Sequence, residues 1–462
     1  MKSPDTPARR YGGRSPRAEG DGRERALRAL ALMDDGMPIQ AAVDAVLDGC
    51  SLPVRERRLC TELVYGCARE RIRCEFILGR LLRRPDGLPR PMRHCLAIAV
   101  HSLLFQERIP EHAAISMAVR QVDRLYGVRL ARVANGVLRS LQRLGDAPRD
   151  VAWYAEAADA ADQRAWRAAC RFWSMPPEIA DLWRDAYGEE AALALMRRSF
   201  QRPWTGVRIN ARHPQATAVR RALEAATPEA ARAAAGAWGM AFAPGALPDA
   251  VLGLPLAELR AAGALEFQSA GSQVLLQELG LTAWDAPVWD ACAGVGGKSR
   301  ALLEAGVPVR LATDLSRGRL ARVRTARSPG DGGAPLPVIA DAAQPSVRVW
   351  DGHILVDAPC SGLGVLARRP DIRFAGRRTG AAMRAYPKTQ GRMLTALAAR
   401  LQPGRELAYL TCTLNPAENE AVVACLTEAD TSLELVRSWS TPLSHPWLEG
   451  MYGAVVRRRA GS

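Results

Sequence analysis

The sequence predicts a multidomain chain, with an all-α N-terminal domain followed by an α/β domain built on a parallel sheet. In residues 24–146 apolar positions recur at three- and four-residue spacing, the period of helices with one buried face. From Pro287 onward short apolar runs alternate with helical stretches, the pattern of repeated βα units with right-handed crossovers. Four of those runs close on an aspartate (Asp290, Asp314, Asp341 and Asp357), and open α/β sheets gather ligands at the carboxyl ends of their strands.

In chain order, residues 1–23 are polar, Pro/Gly-rich and basic, which predicts a disordered basic tail and excludes a secretory signal. Residues 24–146 follow as helices. Apolar stripes run through Leu59, Leu63, Val64 and Cys67 and through Ile77, Leu78, Leu81 and Leu82. Breaks fall at Gly36/Pro38, at Pro85–Pro91 and at Pro110. The segment from Arg132 to Leu141 closes the set with an arginine-lined face. It suits a helix solvated by its charges, or one that docks RNA or a protein partner.

Residues 147–284 form a connecting helical and small α/β region. Trp166, Phe172, Trp173 and Trp183 lie on helical patterns and are expected in a core rather than as base-stacking platforms. A strand is expected over Pro203–Asn210, an Ala-rich helix from about Pro214 to Gly236, and an apolar helix after Glu266–Gln273.

The α/β domain occupies 285–462. Its strands are expected at Val288–Asp290, Val309–Asp314, Pro337–Asp341, His353–Asp357 and Glu406–Leu410, with a closing pair at Leu433–Val436 and Tyr452–Val456. Helices are expected at Ser299–Glu304 and Arg317–Arg327.

A net charge of +15 and a pI near 9.9 favour a polyanionic partner, because basic side chains displace counterions from phosphates. Only Lys2, Lys298 and Lys388 are lysines among 63 basic residues, so a surviving lysine marks a place where a compact ammonium is needed. No apolar run is long enough to span a bilayer, which needs roughly 20 residues, so no membrane is expected. The ten cysteines show no CxxC pair, which argues against zinc or any other metal and against disulfides, and favours a reducing cytoplasm.

The loop Asp290-Ala291-Cys292-Ala293-Gly294-Val295-Gly296-Gly297-Lys298-Ser299 follows the first strand and opens a helix. Its glycines admit close approach of a ligand to the backbone. Gly297-Lys298-Ser299 resembles the end of a phosphate-binding P-loop, but that motif needs a glycine where Cys292 stands. Asp314 lies 20 residues after Gly294, the spacing at which a carboxylate takes a ribose hydroxyl pair, and Asp341 suits the adenine end of the same ligand. Singly, each acid suits a helix N-cap equally well. With no pyrophosphate-type GxGxxG, the loop favours S-adenosyl-L-methionine over a dinucleotide.

The run Ile354-Leu355-Val356 ends on Asp357, and Pro359 forces a turn that presents Cys360. A second strand ends at Thr411-Cys412-Thr413. Either cysteine alone suits apolar packing. Two thiols at neighbouring strand ends beside an aspartate suit covalent catalysis on an electrophilic ring. Cytosine fits that chemistry. A thiolate adding at carbon-6 makes carbon-5 nucleophilic, and Asp357 can hydrogen-bond N3 and the exocyclic amine.

Residues 287–459 resemble the Sun/RsmB-type RNA (cytosine-5-)methyltransferases through Asp357-Ala358-Pro359-Cys360-Ser361-Gly362, Arg369-Pro370-Asp371-Ile372, Gln390, Thr411-Cys412-Thr413 and Pro416-Ala417-Glu418-Asn419-Glu420. Arg58–Gly66 and Ala134–Arg139 resemble the NusB-like domain fused to certain bacterial rRNA methyltransferases. The resemblance implies a Rossmann-like class I methyltransferase domain. It makes Cys412 the nucleophile and Cys360 the thiol that assists product release. It makes Cys292–Lys298, Asp314, Asp341 and Asp357 contacts to S-adenosyl-L-methionine or the base. The substrate implied is ribosomal RNA, 16S in particular, and the expected state is a cytoplasmic monomer. Two stretches depart from the family pattern. Gly294-Val295-Gly296 replaces Ala-Pro-Gly, and Gln268-Ser269 replaces Gln-Asp. An assembly factor with a vestigial enzyme domain, or an enzyme whose nucleophile is Cys360, are the competing readings.

Overall fold

The computed structural model describes residues 21–84, 87–106, 109–324, 333–374 and 379–461. It divides into two compact units, Met1–Arg149 and Asp150–Ser462.

The first unit is all helical: α1 (Gly22–Asp34), α2 (Ile39–Leu47), α3 (Val54–Arg69), α4 (Arg71–Leu81), α5 (Arg90–Phe105), α6 (Glu111–Tyr126) and α7 (Val128–Arg143). Proline sets the start of four of them. Pro38, Pro53, Pro89 and Pro110 each sit at an N-cap, where a missing N–H costs nothing. The expected stripes pack inward, with Leu63, Val64, Cys67, Ile77 and Leu78 buried. Leu59, Leu81 and Leu82 are half-buried. Helix α1 begins at Gly22, inside the stretch expected to be tail, because Asp21 caps it by accepting from Glu24 N–H. The rest of the expected tail, 1–20, lies outside the described residues.

The second unit opens with α8 (Arg164–Phe172), α9 (Pro177–Tyr187) and α10 (Glu189–Phe200). Trp166 and Trp183 are core residues here and share one cluster with Leu363, Leu366 and Leu414, so this helical segment packs onto the α/β domain. A small antiparallel sheet follows from β1 (Thr205–Ile209), β2 (Arg232–Ala234), β3 (Gly239–Phe242) and β6 (Leu265–Phe267), in the order β2-β3-β1-β6. Helices α11 (Ala216–Ala225) and α12 (Leu256–Ala261) and the short ladder β4 (Ala250–Val251) with β5 (Leu254–Pro255) complete it.

The expected Ala-rich helix over 214–236 is half that length. Pro228 disfavours a helical Thr227, the chain turns, and 232–234 pairs with β3 instead.

After α13 (Ala270–Glu278) come β7 (Val288–Asp290), α14 (Gly297–Glu304), β8 (Val309–Asp314), α15 (Arg317–Arg324), β9 (Leu336–Ile339), β10 (His353–Asp357), α16 (Thr379–Ala398), β11 (Glu406–Thr411), α17 (Glu420–Ala429), β12 (Leu433–Ser440) and β13 (Tyr452–Arg458). The sheet order is β12-β13-β11-β10-β7-β8-β9. It is parallel from β9 to β11. The expected closing pair adds two antiparallel strands at one edge, making the sheet mixed. Helix α14 begins two residues earlier than the sequence suggests, at Gly297. Strand β9 stops at Ile339, so Asp341 stands two residues beyond its strand. Of the helix expected at Arg317–Arg327, residues 325–327 lie outside the described residues. One face of the sheet carries Trp289, Ile354, Val356, Leu407 and Tyr409 against α16 and α17. The other carries Val288, Val309, Leu355 and Leu410 against α13 and α14. Burial on both faces accounts for the unbroken apolar runs of these strands. Among the described residues no helix is long and apolar enough to cross a membrane.

Candidate active site

Strands β10 and β11 are parallel neighbours with Asp357 opposite Leu410, so the chain leaves both on the same edge of the sheet. After Pro359 the first loop turns back, and the two thiols meet. The Cys360 and Cys412 sulfurs are 3.3 Å apart, and Cys412 N–H donates to Cys360 Sγ at 3.3 Å. The thiols are inequivalent. The hydrogen bond from Cys360 draws the Cys412 thiol below its ordinary value, against its burial, with the Lys298 ammonium assisting. The same hydrogen bond, reinforced by burial, pushes Cys360 well up. The shared hydrogen bond thus sets the two thiols in opposite directions, Cys412 down and Cys360 up.

Lys298, at the start of α14, donates from Nζ to Asp357 Oδ2 at 2.6 Å. Burial works against its charge, but the Asp357 carboxylate outweighs burial and holds the ammonium above its ordinary pKa. The lone lysine of the motif thus sits against Asp357 rather than free in the loop.

The remaining strand-end acids shape the glycine loop. Asp290 is fully buried and accepts from Ser299 Oγ at 2.5 Å and Cys292 N–H at 3.4 Å, and burial pushes its pKa up to about 7. Asp314 is buried and accepts from Gly294 N–H at 2.9 Å and Ser316 N–H at 2.7 Å, with Arg319 at 2.9 Å. Asp341 accepts from Ala343 N–H at 2.8 Å. Burial pushes the Cys292 thiol far up, so it stays protonated. Of the expected residues, Cys292–Lys298, Asp314 and Asp357 are linked through the loop. Asp341 stands beyond the neighbouring β9.

The loop suits a nucleoside cation. A Cβ at Gly294 or Gly297 would meet nothing, so the backbone there faces open space. Gly294 and Gly296 have φ of +57° and +81°, a conformation that only glycine adopts without strain. Val295, Leu315 and Ile339 are exposed apolar side chains at the carboxyl ends of β7, β8 and β9. They offer an apolar surface for a purine beside carboxylates that suit a ribose and a sulfonium. These residues fit S-adenosyl-L-methionine.

A layer of polar residues that sequence reasoning assigned no role holds the thiol loops. Glu418 is completely buried and accepts from Ser361 N–H (2.8 Å), Ser361 Oγ (2.5 Å), Gln390 Nε2 (3.2 Å) and Asn415 Nδ2 (2.8 Å). Asn419 accepts from Thr411 Oγ1 at 2.6 Å and donates to the Thr413 carbonyl at 3.1 Å, bracketing Cys412. Arg208 of β1 makes a buried bidentate pair with Glu304 of α14 at 2.7 and 3.0 Å. It also reaches Gln268 at 2.5 Å and the Gly297 carbonyl at 3.3 Å, tying the small sheet to the glycine loop. Among sequence signals, motif membership alone pointed to Gln268, Gln390, Glu418 and Asn419, and none pointed to Arg208, Glu304 or Asn415.

The family model described as 16S rRNA methyltransferase RsmB/F matches residues 280–446, and the NusB family model matches residues 21–143. Ribosomal RNA small subunit methyltransferase B of Pseudomonas putida is 31% identical over 422 residues, covering 86% of this chain and 87% of that protein. Its counterpart in Pseudomonas syringae pv. tomato is 30% identical over 421 residues, covering 86% and 84%. The probable enzyme of that name in Bacillus subtilis is 28% identical over 414 residues, covering 87% of each. The crystal structure of PH0851 superposes with a TM-score of 0.71 at 17% identity, covering 94% of this chain and 98% of that one, a likeness of fold.

Proposed function

The chain belongs to the ribosomal RNA small subunit methyltransferase B family, and we propose that it works through a covalent bond between Cys412 and the target cytosine. It is an S-adenosyl-L-methionine-dependent methyltransferase that modifies carbon-5 of cytosine in ribosomal RNA. The observation that carries the mechanism is the thiol pair at the ends of neighbouring strands, with sulfurs 3.3 Å apart and the Cys412 thiol drawn below its ordinary value.

Cys412 adds as thiolate to carbon-6, which converts the ring to an enamine nucleophilic at carbon-5. Asp357, held by Lys298, faces the ring nitrogen N3 and the exocyclic amine and supports the charge that builds there. Cys292–Lys298, Asp314 and Asp341 would hold the cofactor, which would supply an electrophilic methyl group and leave as S-adenosylhomocysteine. After transfer, the carbon-5 proton leaves to a base and the Cys412–carbon-6 bond breaks. Cys360, which keeps its proton beside the departing sulfur, assists that release. The target base must be unpaired or extruded to reach two half-buried sulfurs. The same proposal takes 16S rRNA as substrate, one chain as the working unit and the cytoplasm as compartment, where both thiols stay reduced.

The test is to incubate Cys360→Ala and Cys412→Ala variants with S-adenosyl-L-methionine and small-subunit rRNA, then resolve the mixtures under denaturing conditions. A protein–RNA band confined to Cys360→Ala supports Cys412 as nucleophile. A band confined to Cys412→Ala exchanges the two roles.

A further inference from the structure

Two loops that leave different strands must keep two sulfurs in contact, and neither loop is regular structure. Backbone bonds hold the Cys360 loop only at its two ends, where Ala358 N–H donates to the Leu410 carbonyl and Gly364 N–H to the Cys412 carbonyl, and Pro359 cannot donate at all. What fixes Cys360 is a residue from elsewhere. Glu418 closes a 3-10 turn that starts at Pro416 and is capped by Asn415. Two of its four donors come from Ser361, the residue after Cys360, and a third is Gln390 of α16. Gln390 Nε2 also donates to the Pro359 carbonyl at 3.0 Å, on the other side of Cys360. The fourth donor is Asn415, on the loop that continues from Cys412. Both carboxylate oxygens thus receive two donors each, as an acceptor-only group allows and an amide would not. The Gln390 Oε1 atom is left buried without a partner, so the amide is held for its donors alone.

We infer that Glu418 is a positioning residue: it pins the Cys360 loop against the Cys412 loop and so sets which of the two sulfurs attacks. This rests on the reading that Cys412 is the nucleophile. Glu418 acts through Ser361 and Gln390 and touches neither sulfur in the hydrogen-bond network. Without it, Ser361 keeps only its hydroxyl contact to Thr413 Oγ1 at 2.7 Å and Gln390, which holds the Pro359 carbonyl, loses its carboxylate partner, so the Cys360 hydrogen bond to Cys412 loosens and the preference between the thiols falls. The other charged or titratable groups facing the pair are Lys298, Asp357, Tyr386 and Tyr409. Each stays in place in the variants below.

The experiment is limited alkylation of the full chain by iodoacetamide across pH, with the label at Cys412 and Cys360 quantified by mass spectrometry. Wild type labels Cys412 ahead of Cys360. In Glu418→Gln the ratio of Cys412 to Cys360 labelling falls by about tenfold or more, a comparison of the two thiols within one protein that the lost Glu418 charge, which raises both, does not bias. S-adenosylhomocysteine affinity stays at the wild-type value. A folded Glu418→Gln with unchanged preference overturns the inference and leaves Glu418 a structural residue. If that variant does not fold, Ser361→Ala decides: a fall in preference supports the inference, and no change overturns it. The adduct experiment on Cys360→Ala separates the two layers. If the adduct forms instead on Cys360, the reading of Cys412 fails whatever the labelling shows.

Discussion

Lys298 stands out in the sequence alone, because a chain that has drifted almost wholly to arginine keeps it inside a motif. Its contact with Asp357 at 2.6 Å, in a site where it also lowers the Cys412 thiol, supplies the physical reason. Replacing it with methionine removes the cation from beside an incipient thiolate and leaves the Asp357 charge unopposed. Both effects raise the Cys412 pKa. The pH profile of single-turnover methylation in Lys298→Met is therefore expected to move to higher pH, with the plateau rate down by about 10². Lys298→Arg is expected not to restore it, since a planar fork does not replace a compact ammonium in a tight site. Asp290 gives a second residue-level test. Its folded pKa of about 7 lies above the ordinary 3.8, so it binds a proton in the native state that the unfolded chain has released. Stability therefore falls as pH rises through that window and levels off above it. In Asp290→Asn that slope is expected to flatten, as urea denaturation midpoints measured between those pH values will show. Glu418 is the contrasting case. It was visible only as part of a motif, because what it does depends on Ser361 and Gln390, which only the fold brings to it.

At the scale of elements, local signals located the central strands β7, β8, β10 and β11 to within a residue, because they are buried on both faces and read as apolar runs, whereas the edge strand β12 runs to Ser440, four residues past its expected end. They failed where composition misleads. The Ala-rich stretch after Pro214 has high helix propensity throughout, yet Pro228 and pairing with β3 turn its second half into a strand. The Arg208–Glu304 pair could not be read at all, since 96 residues separate the partners. That pair is the link between the small sheet and the helix that carries the glycine loop. Glu304→Ala would leave a buried guanidinium without its carboxylate, a loss of about 3–5 kcal/mol. A fall of that size in urea denaturation is expected, together with weaker S-adenosylhomocysteine binding, because Arg208 also holds the Gly297 carbonyl. If stability falls and affinity does not, the small sheet serves the fold alone.

At the scale of the whole molecule, the sequence marked three regions after the tail, and the structure has two compact units, with the connecting segment folded into the second. Nothing local could announce this, since the joining contacts pair Trp166 and Trp183 with Leu363 and Leu414 far along the chain. Charge is the property that was legible whole. A chain of net charge +15 acting on ribosomal RNA should bind mostly by displacing counterions, and the chemistry should be indifferent to them. A surface that neutralises roughly six phosphates loses on the order of 10³ in affinity between about 50 and 200 mM salt. Wild-type binding to small-subunit rRNA, measured by filter retention over that range, is expected to fall on a steep straight line of log affinity against log salt. The Cys360→Ala adduct, formed at low salt and then shifted to high salt, is expected to stay intact, because a carbon–sulfur bond is not screened. Complexes that dissociate equally in both proteins would mean that no covalent step holds the base.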